Sequence, residues 1–188
     1  MRFDAPHVAA VLWVAWALYW FIAAQSVNAA KSSEGVLLRL THLVPLASGF
    51  FLIFHEAPRP FIYGPLYHAA PLRWLGAALT FAGLLFAVWA RVHLGKYWSG
   101  IITLKEGHEL VRTGPYRLVR HPLYTGFLSA VAGTALAVGT GDALAGFVVI
   151  LVAYLIKMHR EDSLLAATFG ESYRLYKKEV RALVPFVY

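Results

Sequence analysis

The chain has no cysteine at all. Disulfides, thiolate nucleophiles and any cysteine-based zinc or iron–sulfur site are therefore excluded, and the redox compartment cannot be read from cysteine usage. Charge is also scarce: Asp, Glu, Lys and Arg make up 14 % of 188 residues, where a soluble domain carries about 25 %. No HExxH, no G-x-S-x-G and no strand–glycine loop–helix context is present, so zinc-protease, serine-hydrolase and dinucleotide-fold signatures are missing. Gly139-Thr140-Gly141-Asp142 merely joins two apolar runs. What the chain has instead is apolar surface: 59 % hydrophobic residues and a mean hydropathy of +0.59, laid out in long blocks. A disordered chain, a disulfide-stapled module and an ordinary soluble globule are all excluded, and an integral membrane protein is expected.

A span needs about 20 mostly apolar residues. Five runs qualify or nearly so: about 6–30, 36–57, 71–94, 123–138 and 143–156. The last two form a tight hairpin. The fifth is short, so its helix is expected to run on past Lys157. The expected fold is an all-α polytopic bundle, one membrane domain over 1–188, with regions of about 95–126 and 157–188 forming a pocket. Val27-Asn28-Ala29 loosely resembles a signal-cleavage site, but the preceding run is long and carries Trp13, Trp16 and Trp20, which favours a retained span.

Seventeen Lys and Arg stand against ten Asp and Glu. With the N-terminus outside, only Arg2, Arg59 and Arg73 fall outside and all the other bases fall inside, as the positive-inside bias requires. The C-terminus is then cytoplasmic, in the cell membrane of a prokaryote or the endoplasmic reticulum of a eukaryote. The excess of +7 fits basic loops on anionic lipid headgroups, and no nucleic-acid partner is expected. Oligomeric state is not encoded in any readable pattern.

The densest polar block runs from His108 to Gly126. Gly114-Pro115 signals a turn, and the residue before Pro122 is pushed away from helical angles. His121 is therefore expected at the mouth of the fourth span with Pro122 as its first helical residue. Free backbone N–H groups there would favour an anionic ligand group. A second block carries Lys157 and Glu161 four apart on one helix face, with Leu164 and Leu165 a turn further. Tyr173, Tyr176 and Val184-Pro185-Phe186 are expected to fold the tail back onto the spans as packing. His7, His42, His55, His68 and His93 show no ligand spacing and read as interfacial polar residues, and no metal is expected. No Asp, Glu, Lys or Arg is expected buried in a span interior, which argues against an ion-coupled transporter.

The two blocks together resemble the isoprenylcysteine carboxyl methyltransferase family of membrane-embedded enzymes. The matching pieces are His108-x-Leu110-Val111, Gly114-x-Tyr116, Arg120-His121-Pro122-x-Tyr124-x-Gly126, and Glu161 followed by Phe169-Gly170-x-x-Tyr173-x-x-Tyr176. They cover about half the chain, and the first three spans match in hydropathy only. The resemblance implies S-adenosylmethionine as cofactor, bound by His108, Glu109, Leu110, Val111, Tyr116, Arg120, His121, Pro122, Tyr124 and Glu161. It implies a lipophilic acceptor, most closely a prenylated cysteine or a related prenyl-like acid, reached from the bilayer and methylated on its carboxylate. No residue is implied as acid or base, because a free carboxylate is already ionised at neutral pH and positioning suffices. Where the family has an arginine that contacts the acceptor, this chain has Lys157, which lacks the bidentate fork. Arg160 or Arg91 are the candidates to make up the loss. The rival readings are phospholipid amine N-methylation, an NADPH-dependent sterol or ene reductase of the related fold using Arg174, Lys177 and Lys178, and a non-enzymatic membrane subunit.

Overall fold

A computed structural model describes residues 4–25, 35–55, 64–98 and 110–187. Among the described residues six α-helices follow one another: α1 Ala5–Ala23, α2 Val36–Phe54, α3 Ala70–Leu94, α4 Pro122–Val138, α5 Gly141–Phe169 and α6 Glu171–Glu179. Four of them are long and apolar enough to cross a membrane, namely α1, α2, α3 and α5. The fourth expected span, α4, is an apolar helix of 17 residues, about 25 Å at 1.5 Å per residue. The protein is a multi-pass membrane bundle. The expected extension of the fifth span is present, for α5 has 29 residues and at about 43 Å overshoots a hydrocarbon core of about 30 Å.

Local chemistry sets the helix ends. The Asp4 carboxylate caps α1 by accepting from the His7 N–H at 3.1 Å. Pro122 opens α4 with His121 as its cap residue, as expected. Gly139 closes α4 in the left-handed conformation, φ 72°, and the Thr140 hydroxyl caps α5 through the Ala143 N–H, so a two-residue turn makes the hairpin. The last carbonyls of α4 would otherwise lie unsatisfied. Arg73 donates to the carbonyls of Ala137 and Val138 at 2.9 Å each, and the Tyr67 hydroxyl to that of Leu136.

Two seams hold the bundle. On α3 and α4, Gly76 and Gly83 face Gly133 and Gly126 so closely that an added Cβ would lie 2.4–2.6 Å from the facing backbone. In lipid, where helix association depends on close packing, this is the strongest contact available. The second seam pairs α2 antiparallel with α5: Gly49 abuts Ile150 and Gly146, and Gly146 abuts Ile53. Trp13 of α1 is anchored to α4 by a 2.8 Å hydrogen bond from its indole N–H to the Thr134 hydroxyl and lies edge-on to Phe50 and Phe127. Among the described residues four Asp, Lys and Arg side chains depart from the expectation of uncharged helix interiors, Lys157 and Asp162 in the second half of α5 and two more elsewhere. Arg91 is buried near the end of α3, and Asp142 is buried in the first turn of α5, 3.7 Å from His55.

The tail returns to the bundle through buried Tyr173 and Tyr176, as expected, but not through Val184-Pro185-Phe186. The backbone N–H groups of Arg120 and His121 donate to the carbonyls of Arg181 and Ala182 at 2.8 and 3.0 Å, and the Thr125 hydroxyl donates to the Leu183 carbonyl at 2.8 Å. Ala182 and Leu183 join the core, whereas Phe186 is 95 % exposed. These bonds also take up two amides at the start of α4 that were expected to be open to an anionic ligand.

Candidate cofactor and acceptor cavity

A cavity of about 520 Å³ opens at the end of the bundle where α4 begins, within the range typical of small-molecule sites. It has two limbs of different chemistry. The polar limb is walled by Leu110, Val111, Tyr116, Arg120, His121, Tyr124, Glu161, Tyr173 and Tyr176. The apolar limb runs between the helices and is walled by Trp13, Trp16, Trp20, Leu43, Leu46, Phe50, Phe127 and Tyr154. Lys157 and His42 also line it.

The polar limb is built by α4, the overshooting end of α5 and α6. The Tyr124 hydroxyl donates to Glu161 Oε2 at 2.6 Å, and the His121 and Tyr124 rings stack with centroids 5.5 Å apart and 8° between planes. His121 turns Nε2 to Asp162 Oδ1 at 2.8 Å, leaving Nδ1 on the Glu161 side at 4.0 Å. Asp162 is the hub of the limb, and the sequence pattern does not reveal it. It also accepts from Arg120 at 3.2 Å, from Lys177 at 3.0 Å and from the Tyr173 hydroxyl. The Tyr176 hydroxyl donates to the Tyr116 carbonyl. Tyr173 and Tyr176, expected as mere packing, are buried as packing requires and also line the cavity.

Burial pushes the Tyr116 phenol well above its usual value, and the nearby Glu161 charge adds to the shift. Burial likewise raises Tyr173, reinforced by its bond to Asp162, and raises Tyr176. All three stay neutral donors across the accessible pH range. The Tyr116 hydroxyl and the Arg120 Nε are buried and have no hydrogen-bond partner among the described residues, and so does the Trp16 indole N–H. Buried polar atoms are rarely left unpaired. Two such orphans in the polar limb, Tyr116 and Arg120, mark a place for a polar ligand.

Of the residues picked from sequence, Leu110, Val111, Tyr116, Arg120, His121, Tyr124, Lys157 and Glu161 all reach the cavity. His108 and Glu109 lie outside the described residues. Pro122 is fully buried and off the wall; its ring fixes the helix start and offers nothing to a ligand. Arg120 lines the cavity with its two terminal nitrogens engaged by the Val180 carbonyl and Asp162, which leaves its Nε as the unpaired donor. Arg160 leaves the site altogether, donating to the Thr41 hydroxyl at 2.9 Å. Arg91 is structural: it ties the carbonyls of Gly95 and Ala23 at 2.9 and 2.6 Å and lies 4.6 Å over the Trp98 ring. Neither arginine supplements Lys157. His42 is buried in the wall rather than interfacial. Among the described residues no His, Asp and Glu grouping could hold a metal ion.

Comparison with known proteins places this geometry. The family model described as "Isoprenylcysteine carboxyl methyltransferase (ICMT) family" matches residues 75–167. A rice (Oryza sativa subsp. indica) "Probable protein-S-isoprenylcysteine O-methyltransferase" is 24 % identical over 170 residues, 89 % of this chain and 88 % of that protein. The fission yeast (Schizosaccharomyces pombe) "Protein-S-isoprenylcysteine O-methyltransferase" is 33 % identical over 101 residues, 52 % of this chain and 43 % of the yeast protein. The solved structure of a "eukaryotic intramembrane Ras methyltransferase ICMT" shares the fold, with a TM-score of 0.55 at 19 % identity over 84 % of this chain. The chain spans just over half of that protein, 55 % of its length. The family match from α3 through α5 covers the two helices that carry His121, Tyr124, Lys157 and Glu161, and the chain belongs to the isoprenylcysteine carboxyl methyltransferase family.

Proposed function

We propose that the protein transfers a methyl group from S-adenosylmethionine to the carboxylate of a lipophilic acceptor, a prenylated cysteine or a related prenyl-like acid. The observation that carries the reading is a cavity that joins a polar limb to an aromatic one. A cofactor with a carboxylate, an amine, a ribose and an adenine needs the first, and an acceptor with an apolar tail needs the second. The distribution of Lys and Arg supports an N-terminus outside and a C-terminus in the cytoplasm, so that the polar limb opens to the cytoplasm and the aromatic limb to the bilayer.

The cofactor supplies an electrophilic methyl group on a sulfonium centre and departs as a neutral thioether. The protein's own groups bind and orient. Glu161 is held by Tyr124 and has the remaining lone pairs to accept from ribose hydroxyls or an amine. The unpaired Tyr116 hydroxyl donates to a polar atom of the cofactor. The Tyr124 and His121 rings offer stacked faces suited to an adenine or a cationic sulfur. Lys157, with its ammonium 5.8 and 5.7 Å from the Tyr124 and Tyr154 ring centroids, stands where an anionic head would meet the methyl group. An ionised carboxylate needs no general base, so in-line positioning away from water is what remains to be supplied.

Two of the three cations that an NADPH-dependent rival would draw on, Arg174 and Lys177, are engaged in ion pairs. Lys177 pairs with Asp162 and Arg174 with Glu171 at 3.4 Å. Calorimetric titration of the purified protein with S-adenosylhomocysteine, with NADPH in parallel, tests the proposal. Saturable binding of the homocysteine nucleoside alone is expected. Glu161→Gln should weaken it about 10- to 100-fold, the worth of a hydrogen bond to a charged group. Binding of NADPH alone, or of neither, would sink the proposal.

A further inference from the structure

His42, in the first half of a membrane helix, is only 5 % exposed and lines the cavity. A buried ionisable group at such a place usually serves function. What it faces follows from the register of α2 against α5. Near one end His55 of α2 meets Asp142 of α5 at 3.7 Å. In the middle Gly49 meets Gly146 and Ile150. Near the other end Thr41 accepts from Arg160 at 2.9 Å. The antiparallel pairing that joins these three contacts sets His42 level with Lys157. Lys157 is itself 8 % exposed and lines the same cavity.

We infer that His42 and Lys157, from facing helices, together clasp the carboxylate of the acceptor, so that His42 is a specificity-determining residue of the reaction proposed above, on which this inference rests. The order of side chains supports the assignment. Along α5 the cavity wall reads Tyr154, Lys157, Glu161, an aromatic, a cation and an anion at successive turns. Along α2 it reads Phe50, Leu46, Leu43, His42, apolar until it reaches the level of Lys157. The two basic groups thus lie where the aromatic limb gives way to the polar one. A prenyl tail in the aromatic limb brings its carboxylate to that junction, beside the methyl group that would be transferred to it.

A second donor also answers a chemical need. A carboxylate has two oxygens, and an arginine fork meets both at once, whereas a lysine ammonium is a single compact charge. His42 supplies a donor from another direction, and the pair fixes the head in orientation as well as position. An acceptor whose head is neutral, such as the carboxamide of the same molecule, gains nothing from this arrangement.

The test compares acceptor KM with cofactor affinity in the whole protein, using N-acetyl-S-farnesylcysteine as acceptor and S-adenosylhomocysteine for calorimetry. His42→Leu is expected to raise acceptor KM about tenfold or more, the scale of one hydrogen bond to a charged group. Affinity for S-adenosylhomocysteine should stay unchanged. His42→Gln, which keeps a donor and similar bulk, should fall between. Adding Lys157→Arg to His42→Leu should recover most of the loss, because the fork reaches both oxygens. The wild type should bind the acid better than its carboxamide, and His42→Leu should narrow that preference. An unchanged KM in both His42 variants would overturn the inference, as would a parallel loss of cofactor affinity, which would give His42 to the cofactor or the fold. A wild type that binds no S-adenosylhomocysteine would instead overturn the reaction itself, and the inference with it.

Discussion

Replacing Asp162 with alanine, behind the cavity wall, is expected to cost both stability and cofactor affinity, more than any change on the wall itself. The carboxylate accepts from His121, Arg120, Lys177 and Tyr173. Its removal takes away the carboxylate that two full positive charges and an imidazole share, with Glu161 the remaining anion on the far side of His121. Breaking a buried pair by deleting one partner costs about 3–5 kcal/mol. The lower end applies here, because Lys177 is 42 % exposed and can turn to water. At about 2–4 °C per kcal/mol for a chain of this size, the unfolding midpoint should fall by roughly 6 °C or more. The site should suffer in the same stroke. Asp162 holds Nε2 of His121, which keeps Nδ1 toward Glu161 and the cavity, and it ties α6, with Tyr173, to α5. Each 1.4 kcal/mol of that disorder which reaches the cofactor costs about tenfold in affinity. Asp162→Asn separates charge from volume. It keeps one acceptor oxygen but turns an NH2 donor toward Arg120 or Lys177, so it should behave nearly as badly as alanine. If Asn matched the wild type in both midpoint and S-adenosylhomocysteine affinity, the network would be packing only.

Why Asp162 escapes a reading of the sequence, while Glu161 does not, is a matter of helical phase. Neighbours on a helix point about 100° apart. Glu161 shares a face with Lys157 and announces itself by spacing, whereas Asp162 reads as one more acid on the solvated side. The return of α6 brings Lys177 and Tyr173 to that side; the sequence signals that the tail folds back, but nothing local in it says which residue of α5 the tail meets. Arg160 fails for the same reason in reverse. It sits next to Glu161 in sequence and faces Thr41 in space. His42 is legible as a polar residue in a span but not as a wall residue, because Lys157, level with it across the α2–α5 seam, is far away in sequence. The fold is more legible than the site. Long apolar blocks specify helices without tertiary help. Pro122, Gly139 and Thr140 punctuate α4 and α5 by chemistry that acts within a turn. Arg120 lies between these cases, since its place on the wall is legible and its commitment to Asp162 is not.

The α3–α4 seam is where the largest loss of structure is expected, and the site depends on it. A Cβ on Gly83 would lie 2.6 Å from the Ala130 nitrogen and the Gly126 carbonyl oxygen, and one on Gly126 would lie 2.5 Å from the Ala87 nitrogen. These are backbone atoms, which cannot rotate aside as a side chain would. Gly83→Leu therefore has to push α3 and α4 away from each other along their length, and overpacking of this kind costs about 1–3 kcal/mol even where side chains can yield. With backbone on both sides the cost should exceed that range, and Gly83→Ala should already show some of it. Because α4 carries His121 and Tyr124 at its start, opening the seam also displaces the polar limb, so S-adenosylhomocysteine affinity should fall together with the thermal midpoint. Gly35→Ala is the matched control. Gly35 has ordinary backbone angles, φ −62°, and its added Cβ would meet nothing within 4 Å. That substitution should be neutral or stabilising by about 0.4–1 kcal/mol through loss of unfolded-state freedom. A seam variant no less stable than Gly35→Ala would mean that α3 and α4 do not approach this closely in the membrane, and the position of His121 would then need another support.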